Sequence, residues 1–111
     1  MKISLLIALL LTGLSFCEEQ KSDTCAEEII LKIKAEPVRN PPAEIWLHEI
    51  DNKRYYYVTP YCCDMFSDLY DDECTLVCHP DGGISGGGDG NCGELKQKLT
   101  HGKLLWKDIR K

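Results

Sequence analysis

The chain has 111 residues, a mass of 12.6 kDa and a formal net charge of −5. That leaves room for one small domain and argues against a nucleic-acid or anionic-membrane binder. With 43% hydrophobic and 28% charged residues the composition is globular, which excludes a disordered chain and a multi-span membrane protein.

Met1-Lys2 and the apolar run Ile3 to Leu14 read as a signal peptide over residues 1–17. The run is shorter than the roughly 20 residues that span a bilayer and fits a signal-peptide core. Leu14-Ser15-Phe16-Cys17 is similar to a bacterial lipobox, with Phe16 in place of the usual small residue. In that reading Cys17 is acylated and becomes the mature N-terminus. The alternative is a cut after Cys17 at Ser15-Phe16-Cys17, which gives a soluble secreted protein. Both readings place the protein outside the cytoplasm, with the membrane reached only through an N-terminal lipid on Cys17. Both also reduce the seven cysteines to six: Cys25, Cys62, Cys63, Cys74, Cys78 and Cys92. An even number in a short exported chain predicts a disulfide framework.

Residues 18–23 form a polar tether, and 24–111 a single disulfide-rich domain. Thr24-Cys25-Ala26-Glu27 matches a capping box, in which the Thr24 hydroxyl accepts from the Glu27 amide. Ala26, Ile29, Ile30 and Ile33 then share one helical face, and Pro37 stops the helix near Ala35. Ala43 to Ile50 predicts a strand, with Ile45 and Leu47 on one face and Trp46, His48 and Ile50 on the other. Asp51-Asn52-Lys53 is turn chemistry, and Arg54 to Thr59 is rich in strand formers, so the two segments make the hairpin of a small antiparallel sheet. Tyr55-Tyr56-Tyr57 cover both faces of that strand with amphipathic rings, a ligand platform being the narrower alternative. Regular structure is expected to fade from Cys62 to Glu94, which carries eight acidic and no basic residues and seven of the nine glycines. Leu95 and Leu99 suggest a short helix, and Lys103 to Ile109 a closing strand. The basic tail is expected to lie against the acidic loop.

Three disulfides at about 2–4 kcal/mol each match the whole stability of a small domain. Cys62 and Cys63 are not expected to bond each other, because adjacent Cα atoms sit about 3.8 Å apart and an extended pair points to opposite sides. Cys25 is expected to join the helix to the Cys62-Cys63 corner. Zinc ligation by Cys62, Cys63, Cys74, Cys78 and His79 lacks the paired knuckles of strong sites. The run Pro80 to Cys92 reads as a disulfide-pinned loop whose glycines allow positive φ. The one cofactor it suggests is Ca²⁺, held by Asp81, Asp89 and Asn91, though the spacing is not that of an EF-hand. His48, His79 and His101 are the only histidines, with His79 beside Pro80-Asp81 the most notable. Six paired cysteines leave no thiol for Cys-His catalysis, and carboxylate pairs such as Asp71-Asp72 or Asp64 with Asp68 suit a solvated surface.

The run Cys62-Cys63-Asp64, Leu69-Tyr70-Asp71, Cys78-His79-Pro80-Asp81-Gly82-Gly83 and Gly88-Asp89-Gly90-Asn91-Cys92 resembles a family of small bacterial exported proteins, often lipoproteins, that carry a domain of unknown function. Tyr55-Tyr56-Tyr57-Val58 and Trp106-Lys107-Asp108-Ile109-Arg110 fit the same family, so the likeness covers most of the mature chain. The resemblance implies an envelope location and a small α+β fold, with no activity to carry over. Cys74 departs from its pattern, where a turn residue such as glycine is expected. That departure leaves Cys74 as a partner for Cys78 or as an unpaired thiol.

The sequence thus predicts an exported, disulfide-stapled α+β domain: an N-terminal helix, an antiparallel hairpin, a long Gly/Asp-rich loop and a closing strand. Its expected role is non-enzymatic binding of an envelope or extracellular protein. A calcium-dependent module or enzyme, and a small inhibitor using the 84–91 loop, are the alternatives.

Overall fold

A computed structural model describes residues 23–111. The segment 1–17, Cys17 and residues 18–22 lie outside the described residues. The described chain is a small α+β domain. Helix α1 (Thr24–Lys34) is followed by strands β1 (Glu44–Ile50), β2 (Lys53–Val58), β3 (Asp68–Asp71) and β4 (Leu76–Cys78), the short helix α2 (Leu95–Lys98) and strand β5 (Lys103–Lys107). The five strands form one antiparallel sheet in the order β4-β3-β2-β1-β5.

Helix α1 forms where the apolar spacing places it, and Cys25, Ala26, Ile29 and Ile33 are buried on one face. Its N-cap is Asp23, not Thr24, and no side chain caps it. The Asp23 carboxylate is engaged elsewhere, accepting from the Arg54 guanidinium and, at 3.0 Å, from the Tyr56 hydroxyl. The end of the polar tether is therefore fastened to β2.

The β1–β2 hairpin closes through Asp51 and Asn52 at φ 54° and 66°, the left-handed pair that a two-residue turn needs to match strand twist. Register opposes Ile45 to Val58, Trp46 to Tyr57, Leu47 to Tyr56 and His48 to Tyr55. Alternation then sends Ile45, Leu47, Tyr56 and Val58 to the α1 face, where they join Ala26, Ile29, Ile33 and Ala43 in the main core. Burying each such aliphatic side chain contributes about 1.5–3 kcal/mol. Strand β5 carries a bulge opposite Ile45/Trp46, and both Leu105 and Trp106 pack against this core. The other sheet face holds a smaller cluster of Leu69, Cys78 and Cys92, with Tyr55, Tyr57, Leu95 and Leu99 packed on it.

Expectations about the 62–94 segment are corrected in part. It contains β3 and β4, whose four and three residues carry too little apolar pattern to announce a strand. The basic tail also does not neutralise the acidic loop: among the described residues its ion pairs go to Asp51, Glu44 and Asp108. The tail does lie against the loop, but without ion pairs to it among the described residues: Leu95 and Leu99 pack on the Cys78–Cys92 cluster, and Lys96 Nζ donates to the Gly87 carbonyl at 2.9 Å.

The disulfides are Cys25–Cys74, Cys62–Cys63 and Cys78–Cys92. Three expectations fall here: Cys62 and Cys63 do bond each other, Cys25 does not reach their corner, and Cys74 is neither unpaired nor joined to Cys78. The short Cα spacing of neighbours, 3.6 Å here, does not bar the bond, because the pair is not extended. Cys63 sits instead at φ 39°, in a turn that brings the two side chains to the same side. Cys74 lies at φ 64°, the left-handed conformation that explains why glycine would suit this position. The Gly-rich segment is pinned by Cys78–Cys92, with Gly82, Gly83, Gly86, Gly88 and Gly90 at positive φ.

Candidate site: an aromatic cleft on the second sheet face

The face away from α1 carries Trp46 and His48 from β1 and Tyr55 and Tyr57 from β2, because these positions alternate with the core residues. The chain after β4 crosses this face with Pro80 and Asp81, and the passage from α2 to β5 supplies Lys96, Leu99, Thr100 and Gly102. Together with Trp46, His48 and Tyr57 they enclose an open cleft of about 420 Å³. Two hollows at the hairpin end are comparable in size, but they are lined mainly by charged side chains such as Glu49, Asp51, Arg54 and Asp72. The first brings three aromatic rings, Trp46, His48 and Tyr57, together with polar groups on one space, the usual composition of a ligand site.

The hydrogen bonding of the cleft is fixed from behind. The Tyr57 hydroxyl donates to both Asp81 oxygens, at 2.9 and 3.1 Å. Burial, then the adjoining Asp81 carboxylate, pushes the Tyr57 phenol up to about 12, so it stays a donor across physiological pH. Asp81 is held by its own backbone: its N–H donates to Ser67 Oγ, and the Ser67 N–H and hydroxyl donate to its carbonyl. Ser67 is fully buried, so this knot anchors the loop to the start of β3. His48 is 8% exposed and meets the Tyr57 ring edge-on, with centroids 6.4 Å apart. Desolvation, followed by repulsion from His101, lowers its pKa, and it is neutral at pH 7. A Cβ at Gly102 would come within 2.7 Å of His48 Nε2, so a side chain there would push the imidazole out of place. Thr100 and Lys96 add a hydroxyl and an ammonium group to the lining.

Of the residues proposed for calcium, Asp81 lies in the cleft and is committed to Tyr57. Asp89 instead closes its own turn, accepting from the Asn91 backbone N–H at 2.9 Å and from Asn91 Nδ2 at 3.2 Å. Those bonds hold the Asp89 carboxyl below its usual pKa. Among the described residues, no group of three or more His, Cys, Asp or Glu is placed to share an ion. The cysteines considered for zinc are all in disulfides. His79 points away from the cleft: its Nδ1 faces the Ser67 carbonyl at 2.8 Å and Asp68 Oδ1 at 3.0 Å, and its ring stacks on Phe66. A carbonyl only accepts, so Nδ1 carries the proton. Asp71 caps the β3–β4 turn through the Glu73 and Thr75 amides.

Sequence reasoning did not assemble this cleft. Its floor is legible, since Trp46, His48 and the tyrosine run alternate onto one face, but the walls come from segments 23 to 56 residues further along the chain.

The family model described as "Domain of unknown function (DUF6970)" matches residues 31–108. The match spans the last turn of α1 through Asp108 and leaves out Cys25. The Cys25–Cys74 bond therefore ties a residue outside the matched segment to one inside it. No curated protein and no solved structure matches the chain.

Proposed function

The chain belongs to the DUF6970 family, and we propose that it is a small binding domain whose recognition surface is the Trp46–Tyr57–Asp81 cleft. The observation that carries this reading is the convergence of aromatic rings with a carboxylate fixed in place by Tyr57. Rings of this kind accept a flat apolar face, and the carboxylate accepts hydrogen bonds from its edge. A sugar ring has that chemistry, with C–H groups on its faces and hydroxyls around its rim.

The test is titration of the isotope-labelled protein with mono- and disaccharides, followed by amide chemical shifts. Saturable shifts are expected at Trp46, Tyr57, Asp81 and Thr100. Asp81→Asn should weaken binding by about tenfold, the loss of one charge-assisted hydrogen bond. Shifts confined to other faces, or none at millimolar sugar, would refute the reading.

We further propose an extracytoplasmic location, with Cys17 lipidated in a bacterial envelope. Three disulfides support an oxidising compartment, and the apolar segment before Cys17 supports export. The intact mass of the mature protein decides: a diacylated N-terminal Cys17 is expected, and an unmodified Glu18 N-terminus would end the lipoprotein reading.

A further inference from the structure

The three disulfides differ in what they do for the fold. Cys25–Cys74 closes a loop of 49 residues and Cys78–Cys92 one of 14, so each restricts the unfolded chain substantially. Cys62–Cys63 joins neighbours and closes no loop of consequence. Burial divides them in the same way. Cys25, Cys78 and Cys92 are 2%, 3% and 8% exposed and Cys74 and Cys62 are half-buried, so Cys63 is the one exposed cysteine among the described residues. The vicinal pair also forms one wall of an apolar groove of about 320 Å³, whose other walls include Pro41, Pro42, Thr59 and Pro60. Its bond holds Cys63 at φ 39°, a conformation that a residue with a side chain rarely adopts.

From this division we propose that Cys62–Cys63 is a thiol-exchange site, and that its redox state sets the shape of the adjoining proline groove. The reductant is a small aliphatic thiol. Its thiolate attacks Sγ of Cys63, the more exposed residue. The Cys62–Cys63 bond breaks, a mixed disulfide forms at Cys63, and Cys62 leaves as a thiolate that takes up a proton. A second thiolate attacks the sulfur donated by the first, releasing the small-molecule disulfide, and Cys63 is protonated in turn. Two thiols are oxidised and one protein disulfide is reduced. With the ring open, Cys63 is free to leave its left-handed conformation, and the wall of the groove moves with it.

The test is graded reduction of the oxidised mature protein with dithiothreitol, trapping with iodoacetamide and peptide mass analysis. Cys62 and Cys63 should be alkylated at dithiothreitol concentrations about tenfold or more below those that open the other two pairs, as access controls exchange. Simultaneous opening of all three pairs, opening of the vicinal pair last, or alkylation of Cys62 and Cys63 without reductant would each overturn the proposal. Two further measurements separate reactivity from structure. Cys62→Ser/Cys63→Ser should melt within about 2 °C of the parent, because the bond restricts no loop; a larger drop would show a structural staple. After selective reduction, amide shifts should change at residues 43–44, 59 and 61–65, and unchanged shifts there would refute the coupling to the groove.

Discussion

Gly88 and Gly90 sit two residues apart at φ 81° and 78°, yet their surroundings differ. A Cβ on Gly88 would collide with the backbone carbonyl oxygens of His79 and Pro80, whereas a Cβ on Gly90 would meet nothing within 4 Å. Gly88 therefore carries two penalties, a left-handed backbone and a clash with main chain that cannot step aside, and Gly90 only the first. Gly90→Ala should cost about 1 kcal/mol and Gly88→Ala on the order of 2–4 kcal/mol. Urea denaturation of the two variants measures the difference. Equal losses would mean that close passage of the loop over the His79–Pro80 backbone does not hold it in place.

At the scale of elements, legibility followed local pattern. Helix α1, the β1–β2 hairpin, α2 and β5 each carry a periodicity or turn signal within their own span, and the structure has all of them. Strands β3 and β4 do not. In Asp68-Leu69-Tyr70-Asp71 only Leu69 is fully buried, and Leu76 and Val77 are 45% and 38% exposed. Their pairing is set by non-local restraints: β3 adds to the edge of β2, Ser67 is knotted to Asp81, and Cys78 is fixed to Cys92. The cleft was half legible for the same reason, its β1–β2 floor written in alternation and its walls delivered by loops. The disulfide that joins elements farthest apart is Cys25–Cys74, between α1 and the β3–β4 turn. From the lengths of the closed loops, Cys25→Ser/Cys74→Ser should lose about 4 kcal/mol and Cys78→Ser/Cys92→Ser about 3 kcal/mol. Denaturant midpoints of the two double variants test this, and a Cys25/Cys74 variant as stable as the parent would show that α1 packing alone holds the helix.

For the whole molecule, two groups at the two ends of the β1–β5 pair tie stability to pH. Asp108 is 1% exposed and fastens the C-terminus: its N–H donates to the Ala43 carbonyl, and its carboxylate accepts from the Arg110 guanidinium. Arg110 in turn donates to the Ile33 and Lys34 carbonyls, satisfying the end of α1 with a cation placed where the helix dipole favours one. The Arg110 hydrogen bonds hold the Asp108 carboxyl down at about 2. The unfolded chain takes up that proton near pH 4, so the contribution of Asp108 is whole above pH 4 and is lost as pH falls toward 2. His48 acts in an earlier window. Its folded pKa lies below the ordinary 6.5 because burial penalises the imidazolium, so the unfolded state protonates first. Its contribution is complete above about pH 6.5 and declines as pH drops through the folded value. Stability should therefore fall in two separate stages on acidification, and each stage has its own variant. His48→Gln should flatten the first stage and leave the second, while Arg110→Gln, which removes the main cause of the lowered Asp108 pKa, should flatten the second stage and leave the first. Urea midpoints measured from pH 8 to pH 2 distinguish them. A single decline unaffected by either substitution would mean that neither the buried imidazole of the cleft nor the C-terminal latch governs how the domain unfolds in acid.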